Sequence, residues 1–215
     1  PSEIIKIASN ENTFGPSPAA LAVLKNTKSV HRYPDQFSLI SALSDHYGLS
    51  VSNIIIGNGS NDILDLIARV FLNHRQESIS SQYAFIVYRI VTQLVGATNV
   101  IVPAREYGHD LSAMYAAITK NTRVVWLANP NNPTGTFVHY NKIKSFLKNV
   151  PDHIIVVLDE AYFEYLDPSD QIDTTQWIEE FENLIIVRTF SKIYGLAGLR
   201  VGYGIGSANS IELLN

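Results

Sequence analysis

The sequence predicts an α/β fold of three layers, a mostly parallel sheet with helices on both faces, preceded by an N-terminal arm. Three observations carry this. Near-continuous apolar runs of strand length recur, as at Ile154 to Leu158 and Leu184 to Val187. Segments of helical period separate such runs from residue 54 onward. No repeat or low-complexity tract interrupts the alternation. A strand that is apolar on both sides must be covered on both faces, which is the situation of parallel strands joined by helices.

The elements follow in order. Ser9-Asn10-Glu11-Asn12 and Phe14-Gly15-Pro16-Ser17-Pro18 read as an extended arm with turns, and residues 19–26 and 38–47 as helices. Ile54-Ile55-Ile56 is a short buried strand that ends in Gly57-Asn58-Gly59-Ser60. Residues 61–72 place Ile63, Leu64, Ile67, Val70 and Phe71 at helical spacing. Helices are expected over 84–95, 109–118 and 139–149, and strands over 98–102, 123–128, 154–158, 184–187 and 201–205. Asn129-Pro130-Asn131-Asn132-Pro133 is a turn. In such sheets the active site sits in the loops at the carboxyl ends of the strands. The residues with chemical potential fall there: after 54–56, after 123–128, at the end of 154–158 and after 184–187.

The 215 residues are 46% hydrophobic, enough for a substantial core in one domain. A formal net charge of -4 gives no reason to expect nucleic acid as a partner. The absence of cysteine excludes disulfides, cysteine–zinc sites and thiol catalysis. No apolar run approaches the roughly 20 residues that span a bilayer, and Pro1-Ser2-Glu3-Ile4 does not open a signal peptide.

Three stretches carry chemistry. Gly57-Asn58-Gly59-Ser60-Asn61 follows a strand and opens a helix, where free amides and the helix dipole suit a phosphate. The alternative is a helix cap with Ser60 in the N-cap position. No Gly-Lys-Ser/Thr follows, so it is not a nucleotide P-loop. Asp159 ends a buried strand, with Tyr162 three residues on, and a buried carboxylate demands a partner. The alternative is a structural role, as a helix cap or in a pair with an arginine. No acid or histidine at ligand spacing favours a metal. In Thr189-Phe190-Ser191-Lys192, continuing to Arg200, a lysine between a strand and a Gly-rich apolar stretch is expected to be buried. Burial would free its amine as nucleophile or base, with Thr189, Ser191 and Arg200 suiting a phosphate dianion. A surface loop lysine is the alternative.

Taken together these stretches resemble the fold-type I aminotransferases, most closely those of the histidinol-phosphate group. The matching residues are Ser9 to Asn12, Tyr33-Pro34-Asp35, Gly57 to Asp62, Tyr83, Asn129 to Gly135, Asp159 to Tyr162 and Thr189 to Gly202, in the family's order. The resemblance implies pyridoxal 5'-phosphate as cofactor, with Lys192 as the Schiff-base lysine and proton shuttle. Asp159 would pair with the pyridine nitrogen, Asn132 and Tyr162 would bind the phenolic oxygen, and Tyr83 would stack on the ring. Ser60, Asn61, Thr189, Ser191 and Arg200 would hold the phosphate. Tyr33 would reach the site of the neighbouring subunit of a homodimer, and Asn10, Glu11 and Asn12 would lie near the substrate. Residues 1–50 would form an arm and interface segment, and 51–215 the large cofactor-binding domain. The family's small C-terminal domain is largely absent. The implied reaction is transamination between histidinol phosphate and 2-oxoglutarate in a cytoplasmic enzyme of histidine biosynthesis. Other readings stay open: an aromatic or broad-specificity aminotransferase, a phospho-amino-acid decarboxylase of the same fold, or a cofactor-binding module without turnover.

Overall fold

The structure, a computed structural model, describes residues 6, 8–25 and 31–215. Among them, helices α1 (Pro18–Lys25) and α2 (Phe37–Tyr47) precede a seven-stranded sheet. The strands are β1 (Ile54–Gly57), β2 (Glu77–Ser81), β3 (Thr98–Val102), β4 (Thr122–Ala128), β5 (Ile155–Asp159), β6 (Leu184–Thr189) and β7 (Gly202–Gly206). Between and after them run α3 (Ser60–Phe71), α4 (Ile86–Leu94), α5 (Leu111–Ala116), α6 (Tyr140–Leu147) and α7 (Ala208–Leu214). The spatial order is β1-β7-β6-β5-β4-β2-β3. β7 runs against both of its neighbours, and the remaining pairs are parallel.

Alternate residues of the central strands feed two cores. Val124, Trp126, Val157, Ile185 and Val187 pack with Ile63, Leu64 and Ile67 of α3, Tyr88 of α4 and Ile211 of α7. Val125, Leu127, Val156, Leu158, Leu184 and Ile186 pack on the opposite face with Leu43 of α2, Met114 of α5 and Ile143 of α6. This is the three-layer α/β arrangement that the apolar runs imply. No helix among the described residues is long and apolar enough to cross a membrane.

Two elements escape the sequence pattern. β2 reads Glu77-Ser78-Ile79-Ser80-Ser81, with a single large apolar residue. Its buried serines are satisfied by one another's neighbours: Ser78 Oγ lies 2.8 Å from Thr92 Oγ1 and accepts from Asn99 Nδ2 at 2.9 Å, while Ser80 donates to Asn99 Oδ1 at 3.1 Å. Paired hydroxyls let a polar strand sit inside the sheet. α7 is the second. Ser207 caps it by accepting from Ser210 N at 3.3 Å, and Ile211 and Leu214 are its large buried side chains. The expected helix over 109–118 is shorter, because Asp110 is its N-cap and accepts from Ala113 N at 2.9 Å. The last strand is antiparallel, since β6 and β7 are joined at the same end of the sheet.

The buried ion pair of the fold lies one residue from the strand ends. Arg188 of β6 donates through Nη2 and Nε to Glu160 Oε2 at 2.7 and 2.9 Å. Tyr140 and Thr174 donate to the same carboxylate, and the guanidinium lies 4.2 Å from the Phe163 ring centroid. Tyr47 of α2 accepts from Arg188 Nη1 at 3.1 Å, tying the N-terminal region to the sheet.

Candidate active site

The carboxyl ends of β1, β4, β5 and β6 converge on a pocket of about 710 Å³. Lys192, Asp159, Asn132 and Tyr162 line it, as do Ser60, Asn61, Thr189, Ser191 and Arg200. Residues from four distant parts of the sequence meet here because parallel strands point their carboxyl ends one way. A larger hollow of about 990 Å³ lies by α5 and α6, between Arg105, His109 and Lys142. Its Lys142 meets no buried carboxylate at a strand end, so the chemistry resides in the smaller pocket.

One end of the pocket is built for an anion. α3 begins at Ser60, and Gly59, not Ser60, is the N-cap, with φ at 82°. The first-turn amides of Ser60 and Asn61 have no carbonyl four residues back to bind, and they carry the positive end of the helix dipole. Gly202 of β7 packs so closely on this turn that a Cβ would overlap Ser60 N and Gly59 C. Glycine is required there by contact. Arg200 flanks the turn, donating to the carbonyls of Asn58 at 3.3 Å and Ala197 at 3.0 Å. Thr189 donates to Ser191 Oγ at 3.0 Å, which leaves the Ser191 proton for another acceptor. Two amides, hydroxyls and a guanidinium are the donor set of a phosphate monoester site.

The other end holds Asp159, 5% exposed. Its Oδ2 accepts from the Tyr88 hydroxyl at 2.7 Å and its Oδ1 from Ala161 N at 3.2 Å. Its partner is thus a tyrosine rather than an arginine, and Arg188 pairs with Glu160. Burial raises the Asp159 carboxyl above its ordinary value; the hydrogen bonds from Tyr88 and Ala161, and the Lys192 charge, oppose this. Lys192 is half-buried rather than enclosed. Burial lowers its ammonium from the ordinary value and Arg200 adds to this, while Asp159 and Glu11 pull it back up. The result is an amine that gives up its proton more readily than a surface lysine.

The arm crosses the mouth of the pocket. Ser9 and Asn10 adopt left-handed backbone, with φ at 71° and 50°. The Ser9 carbonyl accepts from Lys192 Nζ at 2.9 Å, and Asn10 Nδ2 donates to the Tyr162 hydroxyl at 2.9 Å. Asn10 and Glu11 line the pocket, whereas Asn12 binds the Ile193 carbonyl at 2.7 Å from outside it. Gly195 packs on the backbone of Gly15 and Pro16 too closely for a Cβ.

Two residues with expected site roles stand apart. Tyr83 lies with its ring 5.6 Å from that of Tyr107, and its carbonyl accepts from Asn131 Nδ2 at 3.0 Å. Phe85 reaches the lining instead. Tyr33 is fully exposed in the single chain. Sequence pattern does not reveal Tyr88, whose helical position marks it as core, and whose polar role appears only through Asp159.

Comparison with known proteins agrees with this geometry. The aminotransferase class I and II family matches residues 2–215. Histidinol-phosphate aminotransferase 1 of Dechloromonas aromatica is 52% identical over 99% of this chain and 59% of its own length. The protein of the same name from Thiobacillus denitrificans is 54% identical over 99% of the chain and 56% of its own length. The chain therefore spans somewhat more than half of these relatives. Histidinol-phosphate aminotransferase of Sinorhizobium meliloti, solved in complex with pyridoxal-5'-phosphate, superposes with a TM-score of 0.89 at 32% identity, covering 95% of this chain and 56% of that one. With a match over residues 2–215, and a half-buried lysine facing a buried aspartate beside a set of anion-type donors, the chain belongs to the aminotransferase class I and II family.

Proposed function

We propose that the chain is the cofactor-binding part of a pyridoxal 5'-phosphate-dependent histidinol-phosphate aminotransferase, which interconverts histidinol phosphate and 2-oxoglutarate with imidazole acetol phosphate and glutamate in histidine biosynthesis. The observation that carries this reading is the convergence of Lys192, Asp159 and the anion cradle on one pocket. Identity of 52% to a relative of that name supports the substrate.

The residues fit the cofactor by their donor chemistry. Ser60 and Asn61 offer backbone amides to the phosphate, Thr189 and Ser191 offer hydroxyls, and Arg200 offers charge. Asp159 accepts the pyridine N–H. Asn132 and Tyr162 bind the phenolic oxygen; the Tyr162 hydroxyl already accepts from Asn10, so its own proton is free to donate. The ring face falls to Phe85, which lines the pocket where Tyr83 does not. When bound, pyridoxal phosphate supplies the electron sink for bond changes at the amino acid's α carbon. Lys192 carries the cofactor and, once displaced by the substrate amine, moves the proton at the α carbon. Its lowered proton affinity suits that work. Carrying the cofactor requires Lys192 Nζ to give up its contact with the Ser9 carbonyl, and residues 9–11 stand where the substrate enters in this reading. Asn10 and Glu11 contact the substrate in this reading, while Asn12 ties the arm to the Ile193 carbonyl. Residues 1–50 serve as arm and interface segment and 51–215 as the large domain of a cytoplasmic homodimer, in which Tyr33 completes the neighbouring site. The small-molecule partners are the amino donor and the 2-oxoacid.

A half-reaction screen on the full-length protein tests this. Histidinol phosphate should convert the bound aldehyde to the amine form at lower concentration than phenylalanine, tyrosine or phosphothreonine. Borohydride should couple the cofactor to Lys192. Preference for an aromatic amino acid would replace the substrate assignment, coupling to another lysine would overturn the site, and coupling without any conversion would indicate a binding module.

A further inference from the structure

Among the described residues, the Tyr88 side chain touches a catalytic group, and neither the sequence pattern nor the proposed reaction employs it. It sits in α4 with no exposed surface. Its ring lies flat on that of Trp126 in β4, with centroids 5.3 Å apart and planes 1° apart. Phe85 meets it edge-on at 5.8 Å and 89°. Trp126 is itself fully buried. A ring clamped on two sides has one orientation, and in it the hydroxyl ends 2.7 Å from Asp159 Oδ2.

We infer that Tyr88 is a positioning residue, whose hydroxyl holds Asp159 ionised and oriented to accept a hydrogen bond from a ring N–H in the pocket. The inference rests on the proposed role of Asp159. A carboxylate at the buried end of β5 faces a conflict: the sheet and its covering helices favour the neutral form, whereas a hydrogen bond from a pyridine N–H requires the charged form. Neutral Asp159 would present its own proton to the ring nitrogen, with the wrong polarity. Two donors oppose neutralisation, one on each oxygen: Tyr88 on Oδ2 and the Ala161 amide on Oδ1. Together they also fix the plane of the carboxylate. The tyrosine donates without interruption, because burial, followed by the charge of Asp159, raises its own ionisation well above the ordinary value. The proton on this bond therefore stays with the tyrosine, and the charge with the aspartate.

A structural alternative exists, in which the hydroxyl simply satisfies itself on the nearest acceptor. It predicts lower stability on removal of the hydroxyl but no change in the acid–base behaviour of Asp159. The experiment uses the full-length protein as parent, Tyr88→Phe and Asp159→Asn, with ¹³C-labelled aspartate carboxyls. Asp159→Asn assigns the signal. In the cofactor-free protein, Tyr88→Phe should raise the Asp159 titration midpoint by about one pH unit or more, the size of one hydrogen bond to a charged group. In protein loaded with ¹⁵N-labelled pyridoxal phosphate, the ring nitrogen of Tyr88→Phe should lose its proton at lower pH than in the parent. The turnover number should fall about tenfold, with KM for the amino donor little changed. If Tyr88→Phe folds poorly, 3-fluorotyrosine placed at position 88 keeps the ring and strengthens the donor, and the midpoint should move down. An Asp159 midpoint indifferent to both changes would overturn the inference. A ring nitrogen indifferent to Asp159→Asn would instead sink the proposed role of Asp159, which separates the two failures.

Discussion

Acid should weaken this fold through one histidine. His109 is 8% exposed, and its Nε2 lies 2.9 Å from the Ala128 carbonyl. A carbonyl accepts only, so the ring proton is assigned to Nε2 and Nδ1 is left as a bare acceptor. Burial lowers the His109 pKa to about 4, against the opposing pull of the Ala128 carbonyl and the Asn131 side chain. In an unfolded chain the value is about 6.5. Above that, neither state binds the proton and stability is flat. Between about 6.5 and about 4 the unfolded state binds a proton that the folded state refuses, so stability falls as the pH falls. Below the folded value both bind it and the loss levels off. The gap of roughly 2.5 units corresponds to about 3 kcal/mol. His109→Asn can keep a donor for Ala128 and cannot titrate. Urea unfolding of the full-length parent and variant at intervals from pH 7 to pH 4 measures the difference. The parent should lose about 3 kcal/mol more than the variant across this range. Carboxylates such as Asp159 and Glu164, both raised chiefly by burial, contribute to the two proteins alike and cancel in the comparison. Parallel stability curves for parent and variant would refute the reasoning.

Two further outcomes are expected. Arg188→Met strands the Glu160 carboxylate, whose side chain is 0% exposed, without a cation; unfolding should show a loss of roughly 3–5 kcal/mol, partly recovered in Glu160→Gln/Arg188→Met. A loss below about 1 kcal/mol would mean that the pair is dispensable. If sites are shared between subunits, mixing inactive Tyr33→Ala with inactive Lys192→Ala should restore part of the activity, because one site of each hybrid then carries neither lesion. Hybrids that form and stay inactive would confine Tyr33 to its own subunit.

The legible parts of the molecule are those where one physical demand dominates. β5 and β6 announce themselves because both their faces are buried, so every residue from Ile155 to Leu158 is apolar. Lys192, Asp159 and the Gly57–Asn61 turn can be gathered from the alternation of strands and helices alone, since strand ends in a parallel sheet meet on one edge. Where polar groups satisfy each other locally, the pattern fails. Ser78 looks like loop until Thr92 and Asn99 are seen beside it. Tyr88 looks like core because its ring is core, and its hydroxyl finds a partner 71 residues away. Residue preference assigns the N-cap of α3 to Ser60, yet the contact of β7 with the turn hands that position to Gly59. The prolines and glycines of the arm mark it as extended. The hydrogen bond from Lys192 to Ser9 depends on backbone geometry at Ser9 that no residue preference specifies.

The place of β7 has a consequence for how the molecule is made. β7 lies between β1 and β6, and among the described residues β1 has no other strand partner. During synthesis, Ile54 to Gly57 therefore leave the ribosome long before the residues that will hydrogen-bond to them, Gly202 to Ile205. Contacts of such sequence separation are slow to form, because a long loop must close first. Until it closes, the edge of β6 and the whole of β1 are open to other chains. The turn from Gly57 to Ser60 has the same wait, as Gly202 is what it packs against. The anion cradle consequently waits for Gly202, and a ribosome stalled before that residue carries a chain with the lysine in hand and nowhere to seat a phosphate.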